Sequence, residues 1–368
     1  MEKQTPWIKF NWKPVLKYGL MFILLINFSV PLTAGKFEVE SSRINRKFTQ
    51  TTEDKLESLY SKLQSAKTHI DKVKVLHQIL EYKFVNNMDC DKDIVMLRNN
   101  LKGLKYGELH AKSDYLTGNL EKINGKGNDA IKHYLKALKY YTDQNNKDEM
   151  ARMNLAIGEN LRAFAEQERA LTYLRMAKGL TRNEKINADI DDRFSAVFFE
   201  MSYSHSAVYR DSSMIYALKA EQYALRENDS PLLLSALNIL GALERAKKNL
   251  EKSKEYLFRA KEVAEKTKRT ADLSLIHSNI ARLYEDMNDI ADCMKHAKIA
   301  YDLALKSNIK IYIVMSSQIL YQMYKRVGNY KETLKYYEVY IDYRDQLYTE
   351  DKNRQIALVI ANTELENK

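Results

Sequence analysis

Three short stretches of this sequence hold residue types that do chemistry at a useful spacing. Gly125-Lys126-Gly127-Asn128-Asp129-Ala130 spells G-x-G-x-x-A, the pattern by which a glycine-rich turn offers backbone N–H groups to a pyrophosphate at a helix N-terminus. That chemistry needs a strand before the turn. The residues ahead of Gly125 read as a helix, so Gly125 is expected at an inter-helix turn instead. Asp89-Cys90-Asp91-Lys92-Asp93 opens like a calcium loop, but Ile94 stands where such a loop needs Gly and Asn100 where it needs a bidentate Glu. These acids are expected to cap a helix starting near Ile94, where carboxylates meet the positive helix end. Cys293-x-x-His296 sets two metal-ligand types on neighbouring helical positions, yet Cys293 also fills a recurring small-residue slot, which favours packing. His69, His77, His110, His133, His205 and His277 form no H-E-x-x-H, and neither a phosphate-binding G-x-x-x-x-G-K-[ST] nor a G-x-S-x-G elbow occurs. The expectation is a chain with no catalytic residue, no cofactor and no metal ligand.

Composition says what elements carry these residues. Of 368 residues only 11 are Gly and 4 are Pro, and three of the prolines (Pro6, Pro14, Pro31) precede residue 32. Hairpins and Greek keys need those turn residues, so an all-β fold is excluded. With 45% hydrophobic residues, so is general disorder. Long runs rich in Leu, Ala, Lys, Glu and Tyr point to helices. The net charge of +10 invites a nucleic-acid partner, but acids and bases are interspersed with no block of like charge. No nucleic acid is expected; a basic helical-repeat regulator of nucleic acid is the alternative reading.

A repeat orders the helices. Small residues recur at Ala130, Ala170, Ser213, Ser253, Cys293 and Thr333, in steps of 40, 43, 40, 40 and 40. Four residues on stand Tyr134, Leu174, Ala217, Leu257, Ala297 and Tyr337, and seven on Ala137, Ala177, Ala220, Ala260, Ala300 and Tyr340. Thr117-Gly118, Ile157-Gly158, Glu200-Met201, Leu240-Gly241, Ile280-Ala281 and Leu320-Tyr321 precede the small residues by 13 and 12 positions. Small residues let two antiparallel helices approach to about 8–10 Å, and the remaining apolar face of each pair must be buried by the next pair. Gly118, Gly158 and Gly241 are expected at such crossings, Gly328 at a turn, and Pro231 just before a first helix.

These residues resemble the tetratricopeptide repeat, best in Leu320-Tyr321-x-x-Tyr324-x-x-x-Gly328-x-Tyr330-x-x-Thr333-x-x-x-Tyr337. The resemblance covers roughly residues 111–347, with a period of about 40 rather than 34 and without the terminal Pro. The unit around Glu200-Met201 is degenerate. The resemblance implies an all-α, right-handed superhelical solenoid of about six antiparallel helix pairs, whose first helices line a concave face that binds a peptide or partner helix. Mapped onto this chain, that face includes Lys112, Tyr115, Asn119, Arg152, Arg162 and Ser202, then His205, Asn238, Arg245, Arg282, Gln318 and Gln322. Asn amides hold peptide backbone and Arg grips carboxylates in two-pronged fashion.

The flanks complete the organisation. Lys3, Lys9, Lys13 and Lys17 precede an apolar stretch from Tyr18 to Val30, then Pro31-Leu32-Thr33-Ala34-Gly35. This is the layout of a secretory signal peptide over residues 1–35, an uncleaved N-terminal anchor being the alternative; membrane contact is expected through that segment alone. A polar leader follows over 36–51, then an atypical N-terminal helical pair and connecting helix over 52–110. Downstream of Tyr330 the helical pattern runs on, with a C-terminal helical extension over 348–368. Tyr340 to Ile356 is similar to the end of exported tetratricopeptide sensor regions in bacterial envelope regulators, here without their output domain. The implied function is a non-catalytic peptide- or protein-binding scaffold in the envelope, periplasmic or held at the inner membrane, acting as sensor or adaptor with a signalling partner. Pairing with a second copy through the C-terminal helix is a further expectation.

Overall fold

Seventeen-residue helices and three-residue turns set the rhythm of this chain. A computed structural model describes residues 54–347, apart from 86, 87, 125, 205 and 206. The chain divides into two compact units, residues 1–55 and 56–368. The first lies almost wholly outside the described residues, with the leader calls over 1–35 and 36–51; the second carries the helical array. No strand occurs among the described residues. Helix α1 spans 54–65, followed by α2 (His69–Val85), α3 (Asp91–Leu101), α4 (Glu108–Ile123), α5 (Gly127–Asp143), α6 (Lys147–Ala163) and α7 (Gln167–Leu180). Then come α8 (Glu184–Ser204), α9 (Ala207–Glu227), α10 (Ser230–Ala246), α11 (Leu250–Lys266), α12 (Thr270–Asp286), α13 (Ile290–Ser307), α14 (Lys310–Arg326) and α15, described over 330–347.

The period has a local cause in the turns. Asn145, Ala165, Asn228, Lys248, Lys268, Asn288, Asn308 and Gly328 all adopt left-handed backbone, and from Asn228 to Gly328 they come every 20 residues. At Asn288 the amide donates to Glu285 O (3.0 Å) and the next amide, of Asp289, to Tyr284 O (2.9 Å). This closure satisfies the last carbonyls of a helix and stops it. The next helix starts at once: Asp289 accepts from the amide of Asp292 at 3.1 Å, and Asp229 from that of Leu232 at 3.2 Å. Asparagine tolerates the left-handed region, which is how a glycine-poor chain makes so many turns. Gly328 is the one expected turn glycine among the described residues that occupies it after a repeat helix; Gly125 lies outside them. Pro231 stands inside the first turn of α10 rather than ahead of it, where its missing N–H costs no helical bond. The degenerate unit is resolved as two helices of 21 residues, α8 and α9, and their extra length, partly offset by the 14-residue α7, underlies the one step of 43.

Pairs form at the predicted small residues. Ala130, Ala170, Ser213, Ser253 and Cys293 are fully buried, and Ser253 Oγ donates to Gly241 O of the facing helix at 2.8 Å. A Cβ on Gly118 would stand 2.5 Å from the Tyr134 ring, and one on Gly241 would stand 2.7 Å from the Leu257 side chain. The pairs are α4 with α5, α6 with α7, α8 with α9, α10 with α11, α12 with α13 and α14 with α15. Ahead of them, Leu59 and Leu63 of α1, Leu76, Ile79 and Leu80 of α2 and Ile94 and Leu97 of α3 share one core with Leu116 of α4, which closes that end of the stack.

First helices meet across units, α6 with α8, α8 with α10, α10 with α12 and α12 with α14, and no comparable contact joins successive second helices among the described residues. The first-helix layer is therefore the tighter one, and the array curves with that layer inside. This is the all-α, tetratricopeptide-type solenoid that the repeat implied.

Candidate functional site

The inner layer is built from polar residues that recur one unit apart. On α6, Glu159 and Arg162 lie one turn apart and pair at 3.0 Å. Arg162 also reaches Glu200 on α8, while Arg193 of α8 returns to Glu159 at 3.4 Å. Burial opposes the charge on Glu159, but Arg193 and Arg162 outweigh it and hold its carboxyl far below the usual carboxylate range. Glu159 in turn raises both arginines. Lys122 of α4 lies in the same field, and burial with Arg193 and Arg162 nearby lowers its pKa.

Farther along, the inner layer changes character. Asn279 Nδ2 of α12 donates to Asn238 Oδ1 of α10 at 2.7 Å, and Arg245 pairs with Asp286 at 3.0 Å. Arg282 stands beside them with no ion pair or hydrogen bond among the described residues, and burial together with Arg245 lowers its pKa. Burial pushes the Tyr312 phenol of α14 up, and Arg162 of α6 lies close enough to oppose the shift.

Most of the sequence-predicted residues stand on these first helices but are engaged within the chain. Lys112 pairs with Glu81 of α2 at 2.8 Å, and Arg152 with Glu149 of its own helix at 3.2 Å. Asn119 accepts from the Tyr134 hydroxyl at 2.8 Å, and Tyr115 packs against the Tyr134 ring at 6.0 Å. Ser202 Oγ donates to Phe199 O at 2.7 Å. Arg162 and Arg245 meet carboxylates of this chain rather than standing free for those of a ligand. Gln318 and Gln322 are half-buried on α14, and His205 lies outside the described residues. Sequence reasoning missed Lys122, Glu159, Arg193, Glu200 and Tyr312. The recurrence of charge 38 residues apart, Arg162 to Glu200, was the signal that could have found part of this set.

The three chemistry-bearing stretches of the sequence resolve as packing. Helix α3 starts at Asp91, three residues before the expected start, because Asp89 Oδ1 accepts from the Asp91 amide at 3.0 Å. Asp93 is buried against Lys83 at 2.6 Å and the Tyr60 hydroxyl at 2.7 Å, so it holds three helices together. Gly127 opens α5, where a Cβ would meet the Phe164 ring at 2.2 Å. Burial pushes the Cys293 thiol up to about 12, and His296 turns instead to His277, Nδ1 to Nδ1 at 2.8 Å. No group of three metal-ligating side chains exists among the described residues. A cavity of about 240 Å³ between α8 and α9 is lined by Glu184 and Asp191, already paired with Arg226 and Lys178. No helix among the described residues is long and apolar enough to cross a membrane.

No protein-family model matches this chain, and no curated protein is similar enough in sequence to count as a relative. Solved structures do match in fold. The apo form of RapI has a TM-score of 0.57 at 13% identity, over 76% of this chain and 99% of that one. A Rap protein complexed with competence and sporulation factor gives 0.57 at 9%, over 82% and 99%. Aspartyl phosphate phosphatase F from Bacillus subtilis gives 0.52 at 15%, over 93% and 96%. This chain is similar to them as a tetratricopeptide-type helical repeat.

Proposed function

We propose that this chain is a non-catalytic scaffold that holds a protein partner, as an extended peptide or a single helix, along the inner layer of its first helices. The carrying observation is the Asn238–Asn279 pair beside Arg282, a cation that Glu285 offsets only in part and that forms no ion pair among the described residues. Amides at that spacing offer donors and acceptors to a peptide backbone, and a partly buried guanidinium gains most when a carboxylate arrives. One structural neighbour is itself a complex with competence and sporulation factor, which supports the same use of the fold here. Residues 1–35, read as an export address, support an envelope location, and the likeness of Tyr340 to Ile356 to exported sensor regions supports a sensor or adaptor role.

The test is a binding screen of the full chain against a library of short peptides. Asn279→Ala and Arg282→Ala each weaken the best binders by about tenfold or more, while Lys266→Ala on outer helix α11 leaves them unchanged. Binding that ignores all three substitutions overturns the inner-face reading. N-terminal sequencing of the mature chain tests the export address separately.

A further inference from the structure

One second helix departs from the others. Among the second helices from α5 to α13, α5, α7 and α13 each expose one large apolar side chain (Leu135, Met176 and Leu305), and α11 exposes none. Helix α9 exposes four: Val208 at 68%, Ile215 at 54%, Leu218 at 43% and Leu225 at 50%. Successive steps of seven, three and seven residues keep them on one face of a helix, and at 21 residues α9 is long enough to carry them all. A contiguous exposed apolar patch of this kind marks an interaction surface.

The order of residues along that face says what fits it. It is symmetric about a point between Tyr216 and Ala217: Ile215 and Leu218 lie at equal distances on either side, as do Asp211 and Gln222, and Val208 and Leu225. An antiparallel helix of the same sequence therefore sets Ile215 against Leu218 and Val208 against Leu225, each of them twice, which is the self-matching that a two-fold interface requires. Charge matches in the same register. Asp211 is exposed, and its one ion pair among the described residues is with Lys247 at 3.6 Å. It falls opposite Gln222, and so between Lys219 and Arg226, which stand one turn to either side of Gln222. Lys219 rests over the Tyr216 ring at 5.1 Å and forms no ion pair among the described residues. We propose that this face is an interface between two copies of this chain, with α9 packed antiparallel on α9. The contact lies away from the first-helix layer, so pairing leaves both inner layers open. One helix from each copy makes an interface at the small end of the range, which sets the association in the micromolar range.

Sedimentation equilibrium of the full chain tests the pairing: the mass rises from one chain to two as the concentration passes through that range. Ile215→Glu and Leu218→Glu each weaken the association about tenfold or more, while Leu305→Glu on α13 leaves it unchanged. All three positions are exposed, so the substitutions bury no charge within the chain. Cross-linking checks the register, because Cys90 and Cys293 are both buried. Oxidising a mixture of Val208→Cys and Leu225→Cys chains links them in pairs. Either variant alone stays unlinked, since its two cysteines stand about 25 Å apart along the helix axes. The mass of one chain at every concentration up to about 100 µM overturns the proposal. A pair of chains that persists through both glutamate substitutions, or a mixture that links no faster than either variant alone, overturns it equally, because the interface then lies elsewhere.

Discussion

The inner layers of the two halves of this array are built from the same repeat and differ in how their polar residues are paired. From α4 to α9, Glu159, Arg162, Arg193 and Glu200 close on one another across two first helices. From α10 to α15, a neutral amide pair and the Arg245–Asp286 ion pair bridge α10 and α12, and Arg282 forms no ion pair among the described residues. The first arrangement ties neighbouring units together, because its half-buried charges share partners across two first helices. The second leaves hydrogen-bonding capacity facing inward and constrains the packing less. A scaffold with a rigid half and a receptive half follows from where the charges pair, not from the repeat itself.

The largest effect should come from the locked half. Glu159→Ala leaves Arg162 and Arg193 without their shared anion and should cost about 3 kcal/mol, read by guanidinium denaturation. Asn279→Ala should cost well under half of that, and equal losses would break the contrast between the halves. Gly118→Ala comes next, at about 2 kcal/mol, because the new methyl meets both the Tyr134 ring and Ala130 O at 3.1 Å. Gly241→Ala, facing the flexible Leu257 side chain, should cost less.

In the receptive half, acid should act through the buried histidine pair. Burial, with His296 adding to it, brings His277 down to about 4 from 6.5. The folded chain keeps this ring neutral while the unfolded chain takes up a proton, so stability falls as pH drops from about 6.5 toward 4. The loss from this residue is about 2 kcal/mol at about pH 5, and His277→Leu should flatten that part of the melting profile. His77, held by burial at about 3, adds a further loss at the N-terminal end that His277→Leu leaves in place. The smallest effect should be a gain: Ala165→Gly and Lys268→Gly relieve left-handed backbone by about 1 kcal/mol each, seen as a raised Tm in both halves alike. Asn288→Gly should change little.

Much of the architecture was legible from residue classes at fixed spacing. Ala130, Ala170, Ser213, Ser253 and Cys293 were readable as crossings because a helix pair admits only small side chains where its backbones meet. Gly118, Gly158 and Gly241 were readable for the same reason. The candidate site was legible only as a face. Register says which side of a helix points inward, but not whether an inward Arg finds an acid. Arg162 finds Glu159 and Glu200, and Arg245 finds Asp286, whereas Arg282 finds none among the described residues.

The sequence by itself determined the helix class, the 40-residue unit and the partners within each pair, since all three depend on periodicity along a single helix and on nearby turns. Only the tertiary structure decided which polar groups cancel and that His277 and His296 share one buried contact. Those outcomes depend on distances between residues far apart in the chain, and small curvatures added over many units set such distances.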